Sequence, residues 1–351
     1  MSSINGYQLI DMVGIGTFSK VYQAKRLKDE AIVCLKIIDK NNYANETELR
    51  YLEREILIVK ELSHQNIIET FSVIDDGQQI LLEMEYLPNG TLLNYVNLRE
   101  KIGEVEAKHL FRQMLSAIDY LHNHAHITHR DLKFENFMFT ENYTMKLIDF
   151  GFSRHFDEKD PLMSTSCGSF NYVAPEIFLG EAYTQAIDMW SLGVILYGMI
   201  FGQLPFSGDQ LSLINDIVTK EVEFSSLISE PLHDLLSRLL TKDPKKRITA
   251  EEALKHPWIS SNIINRRYSV NMIKSLDLSG IQPRTRRNYS VHEKWHDSQR
   301  ILSINGRTIT KTPYRKRTHR NSQDFSIVQC AIQNLAESHR RLPPLILDAQ
   351  Q

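Results

Sequence analysis

The feature that most constrains the fold of this chain is a change in the spacing of its apolar residues near position 90. Residues 7–38 and 67–85 alternate apolar and polar side chains around glycine-containing turns, which is typical of short antiparallel strands. Between them, residues 48–62 repeat apolar side chains every three or four positions, which places these on one helix face. After a turn cluster at residues 88–90, helical spacing dominates. The sequence therefore predicts an α+β fold with a small antiparallel front, one key helix and a larger helical back.

Helical patterning continues until the packed region is predicted to end near residue 259. The predicted helices cover residues 91–96, 104–122, 184–202, 209–219, 231–240 and 250–254. The apolar stretch at 190–206 is interrupted by glycines and a proline and is too short to span a bilayer. We therefore interpret it as a buried core helix and expect no membrane partner.

The charge of the chain is unevenly distributed. Its 351 residues are 42% hydrophobic and carry a formal net charge of −2, which is ordinary for a globular protein. From Ser260 onward, however, 16 Lys and Arg stand against 6 Asp and Glu, whereas the preceding residues carry 25 against 37. This asymmetry predicts an acidic packed body followed by a basic, mostly flexible tail over residues 260–351.

A glycine-containing segment joins the first two strand patterns. Its residues are Val13, Gly14, Ile15, Gly16, Thr17, Phe18, Ser19, Lys20 and Val21. Glycine lets backbone N–H groups approach phosphate oxygens without a Cβ in the way, so the segment is a candidate phosphate-binding turn. Ser19 stands where the pattern G-x-G-x-x-G has its third glycine. On this segment alone, an ordinary hairpin turn is the better interpretation.

Lys36 lies in the next strand pattern, where its side chain is predicted to point inward. A buried ammonium group needs an anion to offset the loss of water around it. Glu55 is the candidate partner, because it lies on the apolar-striped helix next to Ile56. An exposed lysine on an edge strand is the competing interpretation.

Residues 129–136 read HRDLKFEN and match the pattern H-R-D-L-x-x-x-N at all five fixed positions. Phosphoryl transfer needs a carboxylate to orient and deprotonate the incoming hydroxyl, a cation on the transferred phosphate and oxygen ligands for magnesium. Asp131, Lys133 and Asn136 supply these three parts in order. This motif is far more specific than the glycine segment.

Two further motifs follow in the order that the same chemistry requires. Residues 149–151 read DFG after a strand-like stretch at 145–148, which would present Asp149 at a strand end as a second magnesium ligand. Residues 174–176 read APE. Either triplet alone arises easily by chance, but four motifs in this order and spacing do not.

Together these motifs resemble those of the eukaryotic protein kinases over residues 7–259. The resemblance implies a two-lobed fold with an N-lobe at 7–84, a hinge at 85–90 and an α-helical C-lobe at 91–259, preceded by an extension of residues 1–6. It also implies ATP as the phosphate donor and Mg²⁺ as the metal ion.

The resemblance assigns the nucleotide to residues of both lobes. Residues 13–21 cap it, Lys36 holds its α- and β-phosphates, and Glu55 fixes Lys36. The backbone groups of Glu85 and Leu87 meet adenine behind a gatekeeper, Met84.

The C-lobe residues receive catalytic and supporting roles in the same way. Asp131 and Lys133 are the catalytic residues, and Asn136 and Asp149 are the metal ligands. By the same resemblance, Asp188 braces the catalytic loop and Arg247 pairs with Glu176.

Finer features resemble one class within this family. Lys133 and the sequence CGS at residues 167–169 are similar to serine/threonine rather than tyrosine kinases. Residues 37–40 and the ending at 247–258 resemble the calcium/calmodulin-kinase group, with testis-specific serine kinases and AMP-activated-kinase relatives as the nearest branches. The implied partners are protein substrates with Ser or Thr acceptors, and we expect a monomer.

The resemblance also implies a switch on the activation segment. Arg130 precedes the catalytic Asp131 and is expected to pair with a phosphate on Thr165, with Arg154 as a second cationic ligand. Ser164 and Ser166 are the alternative phosphorylated positions. An upstream activating kinase is the implied partner.

The tail carries two weaker signals. Apolar residues recur at helical spacing near residues 325–339, which predicts a short amphipathic helix that docks on the body or on a partner. The basic run at 314–320 is either a nuclear signal or a nucleic-acid contact, and a simple basic tail is the plainer interpretation. We expect a cytoplasmic protein, with nuclear entry as an alternative, and no nucleic-acid partner.

Two other classes of protein compete with an active enzyme. A pseudokinase-like scaffold would use the same fold to bind partners, but such proteins usually lose the equivalents of Lys36, Asp131 or Asp149, and all three are present. A basic-tail binding protein would leave the catalytic motifs unexplained, since phosphate binding alone needs no paired magnesium ligands.

Overall fold

The computed structural model describes residues 3–16, 18–43, 45–151, 153–155, 170–224 and 227–261. The predictions for Thr17, for the phosphorylated position Thr165 and for the helix near 325–339 therefore lie outside the described residues. The remaining predicted site residues lie within them.

A six-stranded antiparallel sheet forms the front of the molecule. Its strands are β1 (Ser3–Ile4), β2 (Tyr7–Ile15), β3 (Ser19–Arg26), β4 (Ile32–Asp39), β5 (Thr70–Asp75) and β6 (Gln79–Glu85). They lie in the order β1-β2-β3-β4-β6-β5. Alternation along the strands buries Ala24, Val33, Leu35 and Leu81 in a small cluster with Tyr7. The strand-rich front predicted from the sequence is confirmed.

The sheet begins earlier than the sequence pattern indicates, and its last strand includes the first residue of the predicted hinge. Ser3 and Ile4 pair with β2, although residues 1–6 are expected to form an extension. Asn5 and Gly6 turn the chain with φ values of 45° and 86°, as the two-residue hairpin turn favoured by Asn-Gly requires. At the other end Glu85, the first predicted hinge residue, still pairs with Val33.

One helix, α1 (Glu46–Glu61), packs against this sheet. The Asn45 side chain caps it by accepting a hydrogen bond from the Glu48 N–H at 3.0 Å. Leu52, Ile56 and Val59 are buried, as the apolar repeat predicts. Glu55 therefore projects from a helix whose orientation is fixed by its apolar face.

The back of the molecule is helical. Its helices are α2 (Leu92–Arg99), α3 (Glu104–Asp119), α4 (Pro175–Phe178), α5 (Ala186–Phe201), α6 (Gln210–Thr219), α7 (Glu230–Leu239), α8 (Ala250–Lys255) and α9 (Pro257–Ser260). Among the described residues, none of these combines the length and apolar character needed to cross a membrane. The predicted helices are present with shifts of a few residues at their ends.

The central helix, α5, is buried continuously from Ile187 to Ile200, which confirms the core helix predicted in the apolar stretch. It ends at Gly202, which adopts a φ of 67°. A Cβ atom at this position would lie 2.3 Å from the carbonyl oxygen of Glu100. Only glycine therefore allows the chain to turn here.

Within the described residues, four short strands interrupt the helical back, and only the one predicted from the strand-like stretch at 145–148 was expected. They are β7 (Ile127–Thr128), β8 (Phe137–Phe139), β9 (Met145–Leu147) and β10 (Arg154–His155). β7 pairs with β10 and β8 pairs with β9, both antiparallel. In addition, α3 ends at Asp119 and continues as a π-helical turn, Tyr120–His124. The unexpected strands, β7, β8 and β10, have only two or three residues each, which is too few for a periodicity signal. They nevertheless flank the predicted catalytic residues.

Candidate active site

The predicted catalytic residues lie together in the loop after β7. The Lys133 ammonium group is 2.6 Å from Asp131 Oδ2. The Asn136 Nδ2 group donates to the Asp131 carbonyl oxygen at 2.7 Å and to Asp131 Oδ2 at 3.2 Å. Because two neighbours hold one carboxylate oxygen, the orientation of the Asp131 side chain is defined.

Asp188, at the start of α5, anchors the backbone of this loop. Its carboxylate accepts hydrogen bonds from the N–H groups of His129 and Arg130, both at 2.8 Å. The ring of His122 contributes a third contact at 2.9 Å. These bonds hold Arg130 at a φ of 72°, a conformation that a non-glycine residue rarely adopts. The bracing that the resemblance implies for Asp188 is present.

The environment of Asp188 keeps its carboxylate charged. Burial by itself would raise the pKa of Asp188, since the side chain is only 1% exposed. The hydrogen bond and charge of His122, the charge of His129 and the Arg130 N–H outweigh that effect and lower the pKa below its ordinary value. The loop is thus fixed by a buried anion.

Asp149 lies just beyond β9, and the residue before it binds the catalytic loop. The Ile148 N–H donates to the Asn136 carbonyl oxygen at 2.8 Å, and Phe150 is buried against the ring of His129. Asp149 adopts a φ of 65°. Burial acts to raise the pKa of Asp149, but the charge of Lys36 and the Gly151 N–H outweigh it and lower the pKa. Asp149 is therefore an ionised carboxylate beside the loop that carries Asn136.

Lys36 and Glu55 form the predicted ion pair between β4 and α1, with Nζ and Oε1 2.9 Å apart. Burial acts to lower the pKa of Lys36, but the charges of Glu55 and Asp149 dominate and raise it. Lys36 is therefore held as an ammonium group between carboxylates of the front and the back of the molecule.

The glycine segment is a hairpin between β2 and β3. The Gly16 N–H donates to the Ser19 carbonyl oxygen at 2.8 Å, and Gly14 pairs with Val21. Ile15 and Phe18 are exposed on it. The ring of Phe18 packs on Tyr43, with centroids 4.7 Å apart, and the Asp39 N–H donates to the Phe18 carbonyl oxygen at 3.3 Å. The hairpin interpretation and the phosphate-binding interpretation are compatible, since a glycine-containing hairpin can present backbone N–H groups to a phosphate.

The predicted hinge begins at Glu85, the last residue of β6, and continues beyond the strand. Met84 pairs with Cys34 and Glu85 with Val33, on the strand that carries Lys36. The Glu85 N–H donates to the Glu69 carbonyl oxygen at 3.0 Å, and Leu87 is buried. The backbone expected to meet adenine is therefore held next to the lysine expected to meet the phosphates.

The predicted regulatory residues are only partly described. The Arg130 guanidinium lies over the ring of Tyr183, 5.3 Å from its centroid. Arg154 lies on β10, and its backbone pairs with that of Thr128. Thr128 directly precedes the catalytic loop. The segment between β10 and the turn at Phe170–Tyr172, which includes Thr165, is outside the described residues.

Arg247 and Glu176 form the second predicted pair. Two parallel bonds of 2.6 and 2.9 Å join the guanidinium to the carboxylate, and the side chains are 0% and 1% exposed. This pair fixes the short helix α4, which carries the end of the APE motif, to the chain after α7.

The donor atoms fit a magnesium ion that is shared with a triphosphate. Asn136 uses its amide nitrogen on Asp131, which leaves the amide oxygen as an acceptor, and Asp149 is an ionised carboxylate. Mg²⁺ prefers oxygen ligands and is typically held by one or two protein groups together with phosphates and waters. Asn136 and Asp149 are the residues of this chain that would hold it.

Three participants were not predicted from the sequence. His122 contacts Asp188, Tyr183 underlies Arg130, and Lys146 of β9 binds the carboxylate of Glu85 at 2.7 Å. A histidine on a π-helical turn and a tyrosine in the loop before α5 carry no motif signal. For Lys146, the outward position between the buried Met145 and Leu147 was the available clue.

Comparison with known proteins agrees with this arrangement. The family model described as protein kinase domain matches residues 7–259. The chain is 38% identical over 256 residues to the maternal embryonic leucine zipper kinase of Xenopus laevis, covering 72% of this chain and 39% of that protein. It is 37% identical over 258 residues to the serine/threonine-protein kinase SIK1 of Mus musculus, covering 73% and 33%.

A third relative is the carbon catabolite-derepressing protein kinase of Secale cereale, 36% identical over 266 residues, with 74% of this chain and 53% of that protein covered. The aligned region thus spans about a third to a half of the length of these curated relatives. The predicted family, its calcium/calmodulin-kinase group and the AMP-activated-kinase-like branch are confirmed by these matches. The chain belongs to the protein kinase domain family.

Proposed function

We propose that this chain is an ATP- and Mg²⁺-dependent protein serine/threonine kinase that transfers the γ-phosphate of ATP to Ser or Thr of protein substrates. The observation that carries this proposal is the hydrogen bonding that joins Asn136 to Asp131 and to Ile148, the residue directly before Asp149. The relative that is named a serine/threonine-protein kinase supports the acceptor class.

The residues of the site divide the chemistry between them. Asp131 orients the acceptor hydroxyl and accepts its proton, and Lys133, 2.6 Å away, places a positive charge where the phosphate passes. Lys36 holds the phosphates of the bound nucleotide, and Glu55 keeps its ammonium group in position. Mg²⁺, when bound, neutralises charge on the phosphate oxygens.

A scaffold without turnover is the alternative function. It would retain the fold but would not need an ionised Asp149 beside Asn136 and a paired Lys36. All of these residues are present with their contacts, so the enzyme is the better supported proposal.

The decisive test is phosphate transfer by the wild type and by Asp131→Asn. Both are incubated with labelled ATP, Mg²⁺ and an arrayed library of serine and threonine peptides. We expect transfer by the wild type, and a loss of roughly 10²- to 10⁴-fold in the variant because the proton acceptor is gone. Nucleotide binding should remain. A wild type that binds ATP and partner proteins but labels no peptide would instead support the scaffold.

We also propose activation by phosphorylation of Thr165 by an upstream kinase. Arg130, whose backbone is fixed by Asp188 and whose guanidinium lies over Tyr183, supports this, since a positioned arginine suits a phosphate. Thr165→Ala should lower turnover strongly, whereas Ser164→Ala and Ser166→Ala should not. Equal turnover in Thr165→Ala and the wild type would remove this switch.

The remaining proposals concern the protein as a whole. We propose a monomer that acts on protein substrates and has no nucleic-acid partner, located in the cytoplasm, with nuclear entry dependent on the basic run at residues 314–320. Light scattering tests the monomer. Imaging of a tagged chain and of a variant with that run neutralised tests the location, and equal distribution of the two would exclude the nuclear signal.

A further inference from the structure

A cluster of contacts joins the hinge to the strand that precedes Asp149. The Lys146 ammonium group, on β9, is 2.7 Å from Glu85 Oε1 and donates to the Ile67 carbonyl oxygen at 3.2 Å. The Glu69 N–H donates to the same Glu85 oxygen at 2.8 Å. We name Lys146, Glu85 and the backbone of Ile67 and Glu69 the hinge latch.

Hydrogen bonds between β9 and the loop before β5 hold the hinge latch in place. The Ile68 N–H donates to the Leu147 carbonyl oxygen at 2.9 Å, and the Leu147 N–H donates to the Asn66 carbonyl oxygen at 2.8 Å. The buried Asn66 side chain adds a bond to the Met145 carbonyl oxygen at 2.9 Å. The loop before β5 is thus hydrogen-bonded along β9, so that Lys146 acts from a fixed position.

The partial burial of the hinge latch strengthens the attraction between its two charged side chains. The side chains of Lys146 and Glu85 are 12% and 18% exposed, so water screens their attraction less than at an open surface. Glu85 is held three ways, by Lys146, by the Glu69 N–H and by its own N–H on the Glu69 carbonyl oxygen. The direction of the Glu85 backbone is therefore set in advance of any ligand.

The position of the hinge latch connects both ends of the nucleotide site. Glu85 closes β6 and begins the hinge, whereas Lys146 lies on β9, three residues before the predicted metal ligand Asp149. The Ile148 N–H, directly after β9, binds the catalytic loop. A bond between Glu85 and Lys146 fixes the adenine end relative to the metal end.

We propose, on the basis of the proposed kinase function, that Lys146 is a positioning residue for the nucleotide, which acts through Glu85 to preorganise the hinge backbone. When the hinge backbone is already ordered, ATP binding loses less free energy in ordering it. The hinge latch should therefore lower the KM for ATP and leave the chemical step largely unchanged.

The test compares Lys146→Met with a matched control, Lys40→Met. Lys40 also pairs with a carboxylate of the same sheet, Asp75, at 2.7 Å, but at the end away from the hinge. We expect Lys146→Met to raise the KM for ATP roughly three- to tenfold with kcat within about twofold. Lys40→Met should change neither constant, and Lys146→Arg should restore most of the affinity.

A double variant separates the hinge latch from a general structural effect. If Lys146 acts through Glu85, then Lys146→Met combined with Glu85→Gln should be no worse for ATP than the poorer single variant. An unchanged KM in Lys146→Met, fully additive effects, or a kcat that rises at constant KM would overturn the proposal.

Direct binding keeps this test independent of catalysis. The dissociation constant of a fluorescent ADP analogue should rise in Lys146→Met by the same factor as the KM. If the wild type binds the analogue but transfers no phosphate, the proposed function fails while the hinge latch is still tested by the dissociation constants. An equal dissociation constant in wild type and variant overturns the hinge latch even where the wild type is fully active.

Discussion

Two ion pairs of this molecule, one in each lobe, join residues that are distant in sequence but differ in their surroundings. Arg247 and Glu176 in the C-lobe are fully buried and share two bonds, and Arg247 also donates to the carbonyl oxygen of Thr241 at 2.8 Å. Lys36 and Glu55 in the N-lobe share a single contact of 2.9 Å, with side chains 21% and 15% exposed.

The difference indicates which pair can change during function. A buried carboxylate that loses its partner is left uncompensated, so the C-lobe pair must stay closed. The N-lobe pair joins a strand to α1, and water can replace either partner at a smaller cost. We infer that the C-lobe pair maintains structure, whereas the N-lobe pair can open without loss of the fold.

Arg247→Met should have the largest effect on stability and tests whether the C-lobe pair maintains the structure. The change strands the buried charge of Glu176, and we expect the free energy of unfolding to fall by about 3–5 kcal/mol, as measured by urea unfolding at pH 7. The double variant with Glu176→Gln should recover part of that loss. A fall below about 1 kcal/mol would place the C-lobe pair in the same class as the N-lobe pair.

The N-lobe pair should show the opposite behaviour. Lys36→Met is expected to lower turnover about a hundredfold, because a charge that stabilises the phosphates is lost, while the free energy of unfolding changes by less than about 1 kcal/mol. Glu55→Gln should have a smaller effect on turnover, since Lys36 remains. Steady-state kinetics and urea unfolding of the same preparations check both. A loss of stability as large as that of Arg247→Met would contradict the distinction.

Asp188 extends the comparison to a buried anion that is stabilised mainly by N–H groups instead of by one charged partner. Its pKa lies below the ordinary value of 3.8, since hydrogen bonding and the charge of His122 outweigh burial. The ionised carboxylate therefore stabilises the fold above about pH 4, and this contribution disappears as the pH falls through the folded pKa. At pH 7, we expect Asp188→Asn to lower the free energy of unfolding by about 2 kcal/mol.

The difference between wild type and Asp188→Asn should then shrink below about pH 4. Urea unfolding at a series of pH values, with Asp11→Asn as a control for an exposed carboxylate, measures it. A difference that stays constant from pH 7 down to the most acidic pH at which the wild type still folds would mean that the carboxylate charge is not what braces the catalytic loop.

Much of the architecture follows from local pattern. The apolar repeat of α1 predicts its buried face, and Leu52, Ile56 and Val59 are indeed buried. The partner predicted for Lys36 also follows from pattern, because a buried ammonium group and a glutamate on the facing helix are chemically complementary. By contrast, β7 and β10 contain two residues each, which is too few for any period to be recognised.

The residues that carry the chemistry can be identified from the chain alone, because Asp131, Asn136 and Asp149 stand in short motifs of fixed spacing. The side chains that hold them in place become visible only in the folded protein. His122 meets Asp188 across 66 positions and Lys146 meets Glu85 in another lobe. The physical reason is that periodicity reports which face of an element is buried, whereas the group that satisfies a buried charge is chosen by the packing of elements distant in sequence.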